Sequence, residues 1–284
     1  MNLSQELNVA INLAKTAGKA IMEFYDSEFL VEEKTTKDNF TEPVTIADKT
    51  ASKIIVEGLA ETFPDDGILS EEEIDTDERL EKNRLWLIDP MDGTKGFVQK
   101  NGDFAVQIGL AENGEAILGV VFLPLHNTLY FASKENGAFL VENDETPQRL
   151  QVSDKMDFTE MSLAVSRDHR SPRMSKLVEH FAVSKEIERG SVGLKVGLIA
   201  TQICDLYIHL SPRTKHWDSA APEVILQEAG GKLTDLFGEN IIYNTFDVHN
   251  HNGILATNGI SHEKTVKHLK PLLTEFSRLR VISK

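Results

Sequence analysis

The chain has 284 residues, 40% hydrophobic and 26% charged, with a formal net charge of −15. That composition suits a folded protein with one large core or two smaller lobes and excludes a disordered or low-complexity chain. So acidic a chain repels nucleic-acid backbones and anionic membranes, which argues against a polynucleotide partner. A small anionic ligand then needs a cation or a local basic patch where it binds. Cys204 is the single cysteine. It forms no intrachain disulfide and leaves no Cys/His zinc spacing, as suits a reducing cytoplasm.

The first predicted element is a helix over about 3–25, with Leu7, Ile11, Ala14, Gly18, Ile21, Met22 and Tyr25 at helical spacing. Glu6, Asn12, Lys15 and Glu23 interrupt it, so it is amphipathic and not the apolar core of a secretory signal. No apolar run reaches 18 residues, so no membrane span is expected. A second helix follows Thr45-Ile46-Ala47-Asp48, and Phe63-Pro64-Asp65-Asp66-Gly67 ends it. Ile68-Leu69 is a short apolar run that leads into Ser70-Glu71-Glu72-Glu73. The polar segment 74–84 reads as a mobile surface loop. Leu85-Trp86-Leu87-Ile88 reads as a buried strand that stops at Asp89-Pro90.

Two hairpins follow. Phe104–Leu110 and Ala116–Leu123 flank one Asn-Gly; Thr128–Ala132 and Ala138–Val141 flank another. The polar stretch 143–155 marks a boundary, which divides the chain into lobes 1–150 and 151–284. Beyond it strands alternate with helices: strands at Ser162–Val165, Asp205–Leu210 and Gly253–Ala256, helices at Pro172–Phe181, Ser191–Ile203, Asp218–Ala229 and 261–277. Gly230-Gly231 caps the third of these helices. The order predicts an α/β or α+β fold with two unequal lobes.

Asp89, Asp92 and Thr94 carry the first chemical signal. A buried strand ends in an acid, then Pro90, a second acid, and Gly93-Thr94. Pro90 stiffens the turn and Gly93 relieves crowding. Two carboxylates so placed suit a hard cation such as Mg²⁺, with backbone N–H groups of Gly93 and Thr94 left for a phosphate. On this loop alone, acids that merely satisfy a turn explain the pattern equally well. Glu71 to Glu73 also read as a solvated surface run. Asp48 and Asp218 each open a helix, where an acid serves as a cap.

Together these segments resemble the inositol monophosphatase-like superfamily of lithium-sensitive phosphatases. The resemblance runs from Pro43-Val44-Thr45-Ile46-Ala47-Asp48 to Gly253-Ile254-Leu255-Ala256-Thr257-Asn258. Its two signatures are Asp89-Pro90-Met91-Asp92-Gly93-Thr94 and Trp217-Asp218-Ser219-Ala220-Ala221. It implies an α+β layered αβαβα sandwich, with a mixed and antiparallel sheet in the first lobe. It also implies two or three Mg²⁺ ions held by Glu71, Asp89, Asp92, Asp218 and the carbonyl of Met91. Three adjacent glutamates leave that register open by one, with Glu72 in reserve. Thr94 with Asp48 resembles the pair that orients and deprotonates the attacking water.

Within the superfamily the chain looks closest to the 3′(2′),5′-bisphosphate nucleotidases, which act on 3′-phosphoadenosine 5′-phosphate. Lys95 after the Asp-Gly-Thr is one similarity. Ser166-Arg167-Asp168-His169, at a strand-to-helix loop, is a second. Ser211-Pro212-Arg213-Thr214-Lys215-His216-Trp217-Asp218 and Ala221-Pro222-Glu223 are a third, with Pro222 expected in the first turn of its helix. No acid lies between Asp205 and Asp218, where inositol phosphatases carry one for inositol hydroxyls, and basic groups there suit a second phosphate. The resemblance thus implies substrate contacts from Gly93, Thr94, Ser166, His169, Gly190, Ser191, Lys195 and Arg213. The expected partner is a small anionic phosphate ester, a nucleotide, bound by a monomer or homodimer without membrane. The alternative is an inositol monophosphatase or broad sugar phosphatase on the same fold.

Overall fold

The computed structural model describes residues 2–27, 31–35, 41–167 and 171–282. Helix α1 (Ser4–Tyr25) buries Ala10, Ala14, Ala17 and Ile21, one every three or four residues. Strands β1 (Val31–Thr35) and β2 (Thr41–Thr45) pair antiparallel and lead into α2 (Ile46–Thr62). Thr45 caps α2: its Oγ1 accepts from the Ala47 N–H at 3.1 Å, and Asp48 reaches back to the Thr45 N–H at 2.8 Å.

A seven-stranded sheet follows. Its strands lie in chain order: β3 (Gly67–Ser70), β4 (Arg84–Asp92), β5 (Ala105–Glu112), β6 (Glu115–Leu123), β7 (Thr128–Ser133), β8 (Gly137–Glu142) and β9 (Gln148–Arg149). β3 and β4 are parallel and every other neighbour is antiparallel. A short helix, α3 (Thr94–Val98), follows β4.

The second half alternates strands and helices: β10 (Ser162–Ser166), α4 (Pro172–Phe181), β11 (Lys185–Arg189), α5 (Val192–Ala200), β12 (Leu206–His209), α6 (His216–Glu228), β13 (Lys232–Thr234), β14 (Ile254–Thr257) and α7 (His262–Glu275). These strands form a five-stranded sheet in the order β11-β10-β12-β14-β13, parallel among β11, β10 and β12 and antiparallel beyond.

Helices α1 and α2 cover one face of the seven-stranded sheet, and α5 and α6 lie between the two sheets. α4 and α7 close the outer face of the five-stranded sheet through Met174, Leu177, Phe181, Leu269 and Leu273. The result is the five-layered αβαβα sandwich expected from the sequence. No helix among the described residues is long and apolar enough to cross a membrane.

The structure corrects the sequence reading in several places. β4 does not stop at Asp89-Pro90. It runs on to Asp92 through a bulge: Asp89 pairs with Gln107 and Asp92 with Ala105, so one extra residue is inserted. Pro90, which has no N–H to give the ladder, falls inside that irregularity. The segment 74–84 is anchored. Arg79 is buried within a 3₁₀ turn at Asp77–Glu81, paired with Asp75 at 2.7 Å and donating to the carbonyls of Thr245 at 3.1 Å and Phe246 at 3.3 Å. Pro222 is not in the first turn of α6 but seven residues in, where its missing N–H interrupts the helical ladder. β11, Lys-Glu-Ile-Glu-Arg, is an edge strand whose charged alternation hid it from the sequence reading.

Candidate active site

The site forms where β4, α2, α5 and α6 meet. The bulge in β4 brings Asp89 and Asp92 to the same end of the strand, and α6 brings Asp218. Carboxylate oxygens of these three acids lie within 4.8 Å of one another. Asp89 is buried, and its oxygen accepts from the Met91 N–H at 3.0 Å. Burial, then the nearby charges of Glu71, Asp92 and Asp218, push its carboxyl well above the usual range. Burial also raises Asp92, against the hydrogen bond from Ser191, the charge of Lys195 and the N–H of Gly193. A buried acid raised by its acidic neighbours in this way calls for a polyvalent cation. The donors are carboxylate oxygens, the set that hard cations such as Mg²⁺ take. The residues therefore fit the metal that the sequence resemblance implies.

Glu71 and Glu73 line the same cleft, whereas Glu72 does not. The N–H of Glu71 donates to the Ile88 carbonyl at 3.1 Å, which ties the glutamate run to β4 one residue before Asp89. Glu73 instead accepts from Ser52 Oγ at 3.1 Å. Of the three, Glu71 is the one that both lines the cleft and is tied by its N–H to the strand residue before Asp89.

Behind the acids sits a hydroxyl-carboxylate pair. Thr94 Oγ1 donates to Asp48 Oδ1 at 2.8 Å and lies 3.3 Å from the Met91 carbonyl. Asp48 Oδ2 accepts from both the N–H and the hydroxyl of Thr45, at 2.8 and 2.6 Å. One oxygen thus holds the helix start while the other holds Thr94. Burial pushes Asp48 up to about 6, with the hydrogen bonds from Thr45 and Thr94 pulling it back. Gly93 is left-handed at φ +100°, and a Cβ there would lie 2.3 Å from the Asp103 carbonyl, so only glycine makes this turn.

The residues expected around the substrate are unequal. Ser166, Gly190, Lys195 and Arg213 line a cleft of about 1560 Å³ that also contains Asp89, Asp92 and Asp218. His169 lies outside the described residues. Ser191 is fully buried and is not among the residues that line the cleft. Its Oγ accepts from the Leu194 N–H at 3.2 Å as the cap of α5, and its hydroxyl donates to Asp92 Oδ2. The same oxygen accepts from the Gly193 N–H at 3.1 Å and from Gln107 at 2.7 Å. Asp92 is thus tied to the start of α5 in the second half of the chain. Lys195 is buried, donates to the Gly190 carbonyl at 2.8 Å, and lies 5.0 Å from the centre of the Tyr207 ring.

Two cleft residues, Arg173 and Arg278, escaped the sequence reading. Arg167, Arg173, Lys215 and Arg278 line the cleft with Lys95 and Arg213. Arg167 was inside a quoted motif and is fixed by Asp103 at 2.8 Å. Arg173 follows Pro172 in the first turn of α4, a position that a basic helix start could have flagged. Arg278 comes from the tail beyond α7, where no motif points to it. A chain of net charge −15 thus collects cations around its carboxylate cluster, which is the arrangement a polyanion needs.

The comparisons agree with this geometry. A salmonella protein named 3′(2′),5′-bisphosphate nucleotidase CysQ (Salmonella typhimurium) is 35% identical over 238 residues, 84% of this chain and 93% of that one. The Escherichia coli K12 protein of the same name is 34% identical over the same shares. Among solved structures, an IMPase from Thermotoga maritima superposes with a TM-score of 0.80 at 30% identity, covering 95% of this chain and 99% of that one. CysQ from Bacteroides thetaiotaomicron, described as a bacterial member of the inositol monophosphatase family, gives 0.77 at 30% identity and covers 91% and 99%. The family model for inositol monophosphatases matches residues 2–273. Sequence, fold and carboxylate geometry together place the chain in the inositol monophosphatase family.

Proposed function

We propose that the chain is a Mg²⁺-dependent phosphomonoesterase that removes the 3′-phosphate from 3′-phosphoadenosine 5′-phosphate, giving AMP and phosphate. The observation that carries this reading is the cleft itself. A carboxylate cluster, with Asp89 fully buried, and a set of arginines and lysines line it together. A substrate with two separated phosphates uses both. The names of the relatives point the same way.

In this reading Glu71, Asp89, Asp92, Asp218 and the Met91 carbonyl hold Mg²⁺, with Glu72 as the reserve for Glu71. Bound there, magnesium supplies charge neutralisation at the phosphoryl group and acidifies a water. Thr94 orients the attacking water. Asp48, held at both oxygens, takes the proton through the Thr94 hydroxyl. Backbone N–H groups of Gly93 and Thr94 face the phosphoryl oxygens. Lys195, Gly190, Ser166 and Arg213 hold the nucleotide end. Residues 1–150 then act as the metal lobe and 151–284 as the substrate lobe, with the cleft built from both.

The rival, an inositol or broad sugar phosphatase, keeps the metals and Thr94. It lacks a reason for the run Ser211 to His216, which contains no acid and two lysine or arginine side chains, Arg213 and Lys215. A kinetic panel separates them. The chain should turn over 3′-phosphoadenosine 5′-phosphate at a kcat/KM well above that for inositol 1-phosphate or fructose 1,6-bisphosphate. A clear preference for inositol 1-phosphate would overturn the nucleotidase reading.

A further inference from the structure

A second cluster of chemically capable side chains lies at the edge of the cleft, in a segment that the mechanism does not use. Asp247, His249 and His251 alternate along one short stretch between β13 and β14. His249 Nδ1 lies 2.7 Å from Asp247 Oδ1, and His251 Nε2 lies 2.6 Å from Asp247 Oδ2. The two imidazole rings stack at 5.2 Å with 19° between their planes. One carboxylate thus holds two rings.

The far nitrogen of His249 decides what the cluster does. His249 Nε2 is in hydrogen-bond contact with Lys215 Nζ. An ammonium only donates, so Nε2 accepts, Nδ1 carries the proton, and that N–H donates to Asp247. Asp247, His249 and Lys215 therefore form a directed chain that ends on an ammonium. Both His249 and Lys215 line the cleft. The backbone stitches the same segments together: the His216 N–H donates to the Val248 carbonyl at 2.8 Å, the Asn250 N–H to the Thr214 carbonyl at 2.8 Å, and Asn250 Nδ2 to the Lys215 carbonyl at 2.8 Å. On its other side, the N–H of Lys215 donates to Asp218 Oδ2 at 2.6 Å. Lys215 thus has its backbone fixed to the carboxylate cluster and its side chain fixed to His249.

Each of the three residues offers a ligand atom within 4.8 Å of the others, close enough to suggest a metal. The Lys215 ammonium on His249 argues against it, since a dication beside Asp247 would need the His249 proton moved from Nδ1 to Nε2, where the ammonium already sits.

We infer that Lys215 contacts an anionic group of the substrate other than the phosphate that is hydrolysed, and that Asp247 acts through His249 as a positioning residue for it. The inference rests on the phosphatase reading of the cleft and names a grip on the second anionic group. A mobile lysine loses rotamer freedom when it binds, and one already held by His249 loses less.

The test is a double-mutant cycle. Lys215→Met should raise KM for 3′-phosphoadenosine 5′-phosphate by roughly 10-fold or more, the size expected for a lost charge-assisted hydrogen bond, while kcat changes by less than about 2-fold. The same variant should leave KM for p-nitrophenyl phosphate, which has one phosphate, unchanged. Asp247→Ala should raise KM for the nucleotide several-fold and add nothing in the Lys215→Met background. Additive effects, or equal losses on both esters, would show a structural role and sink the proposal. Calorimetric binding of AMP gives an independent readout. If Lys215→Met binds AMP as tightly as the wild type, the proposal fails whatever the reaction is. If AMP binding weakens while the wild type prefers inositol 1-phosphate, the proposed function fails and the Lys215 grip stands. Micromolar Zn²⁺ that binds the wild type and not His251→Ala would overturn it by making the cluster a metal site.

Discussion

Asp48 shows how one residue carries two demands. Its Oδ2 takes the Thr45 N–H and hydroxyl, and its Oδ1 takes Thr94. A base must be ionised to accept a proton, yet basic enough to hold it. Burial lifts Asp48 to about 6, which meets both conditions near neutral pH. The sign follows directly. Above about 6 the carboxylate is ionised and turnover is at its plateau; below it the carboxyl is protonated and turnover falls. The acid limb of kcat/KM should therefore lie near pH 6 and move lower as Mg²⁺ is raised, since a nearby cation favours the charged form. Asp48→Asn should lower kcat by about 10²–10⁴-fold, the usual size of a general-base contribution, and abolish that limb. An Asn variant with an unchanged acid limb would assign the limb to another group. The sequence already pointed to Asp48 as a helix-opening acid. It also paired Asp48 with Thr94 by resemblance; what it could not reveal is that Oδ2 makes the cap while Oδ1 meets Thr94, because Thr94 lies 46 residues away.

At the scale of elements, α6 is the piece that completes the cluster. It brings Asp218 to β4 and lies against the sheet so closely that two strand positions have no room for a Cβ. Gly109 and Gly119 face each other across β5 and β6. A Cβ at Gly119 would fall 2.2 Å from the Ala221 carbonyl, and one at Gly109 would fall 2.9 Å from the Ala220 Cβ. The small Ser219-Ala220-Ala221 run and the paired glycines are two sides of one contact. Gly119→Ala forces α6 outward. It should destabilise the fold by about 1–3 kcal/mol, as overpacking does, and raise the Mg²⁺ concentration needed for half-maximal activity. Thermal unfolding and a Mg²⁺ titration measure the two effects. A loss of stability with unchanged Mg²⁺ dependence would show that Asp218 does not depend on this contact. The helices were legible because their apolar periodicity is local: α4 was placed at Pro172–Phe181 and found there. The hairpins were legible through their Asn-Gly turns. The bulge in β4, the edge strand β11 and the interior Pro222 were not, because each is set by partners distant in sequence.

At the scale of the molecule, the acids that the motifs singled out do come together, and the cations around them do not announce themselves in the same way. Asp89, Asp92 and Asp218 sit in short signature runs. Arg173 and Arg278 reach the cleft from a helix start and a tail with no motif, through packing of α4 against α7. Acids and cations from both halves of the chain therefore meet at one cleft. Without a cation, that arrangement works against folding. The carboxyl of Asp89 is raised in the folded chain above its ordinary value, so its folded form holds the proton more tightly. Its contribution is greatest at low pH and is lost as pH rises and the buried acid must ionise. Mg²⁺ should reverse this. At neutral pH, a concentration about 100 times Kd adds roughly 2.7 kcal/mol by mass action, a rise of several degrees in Tm for a chain of this size. Asp218→Asn separates repulsion from binding. In chelator it should melt above the wild type, because one of the mutually repelling charges is gone. In Mg²⁺ it should melt below the wild type, because it gains less from the cation. Two melting curves for each protein decide the matter. If the variant is less stable in both conditions, Asp218 holds α6 by its hydrogen bond to Lys215 and not by a share in the cation site.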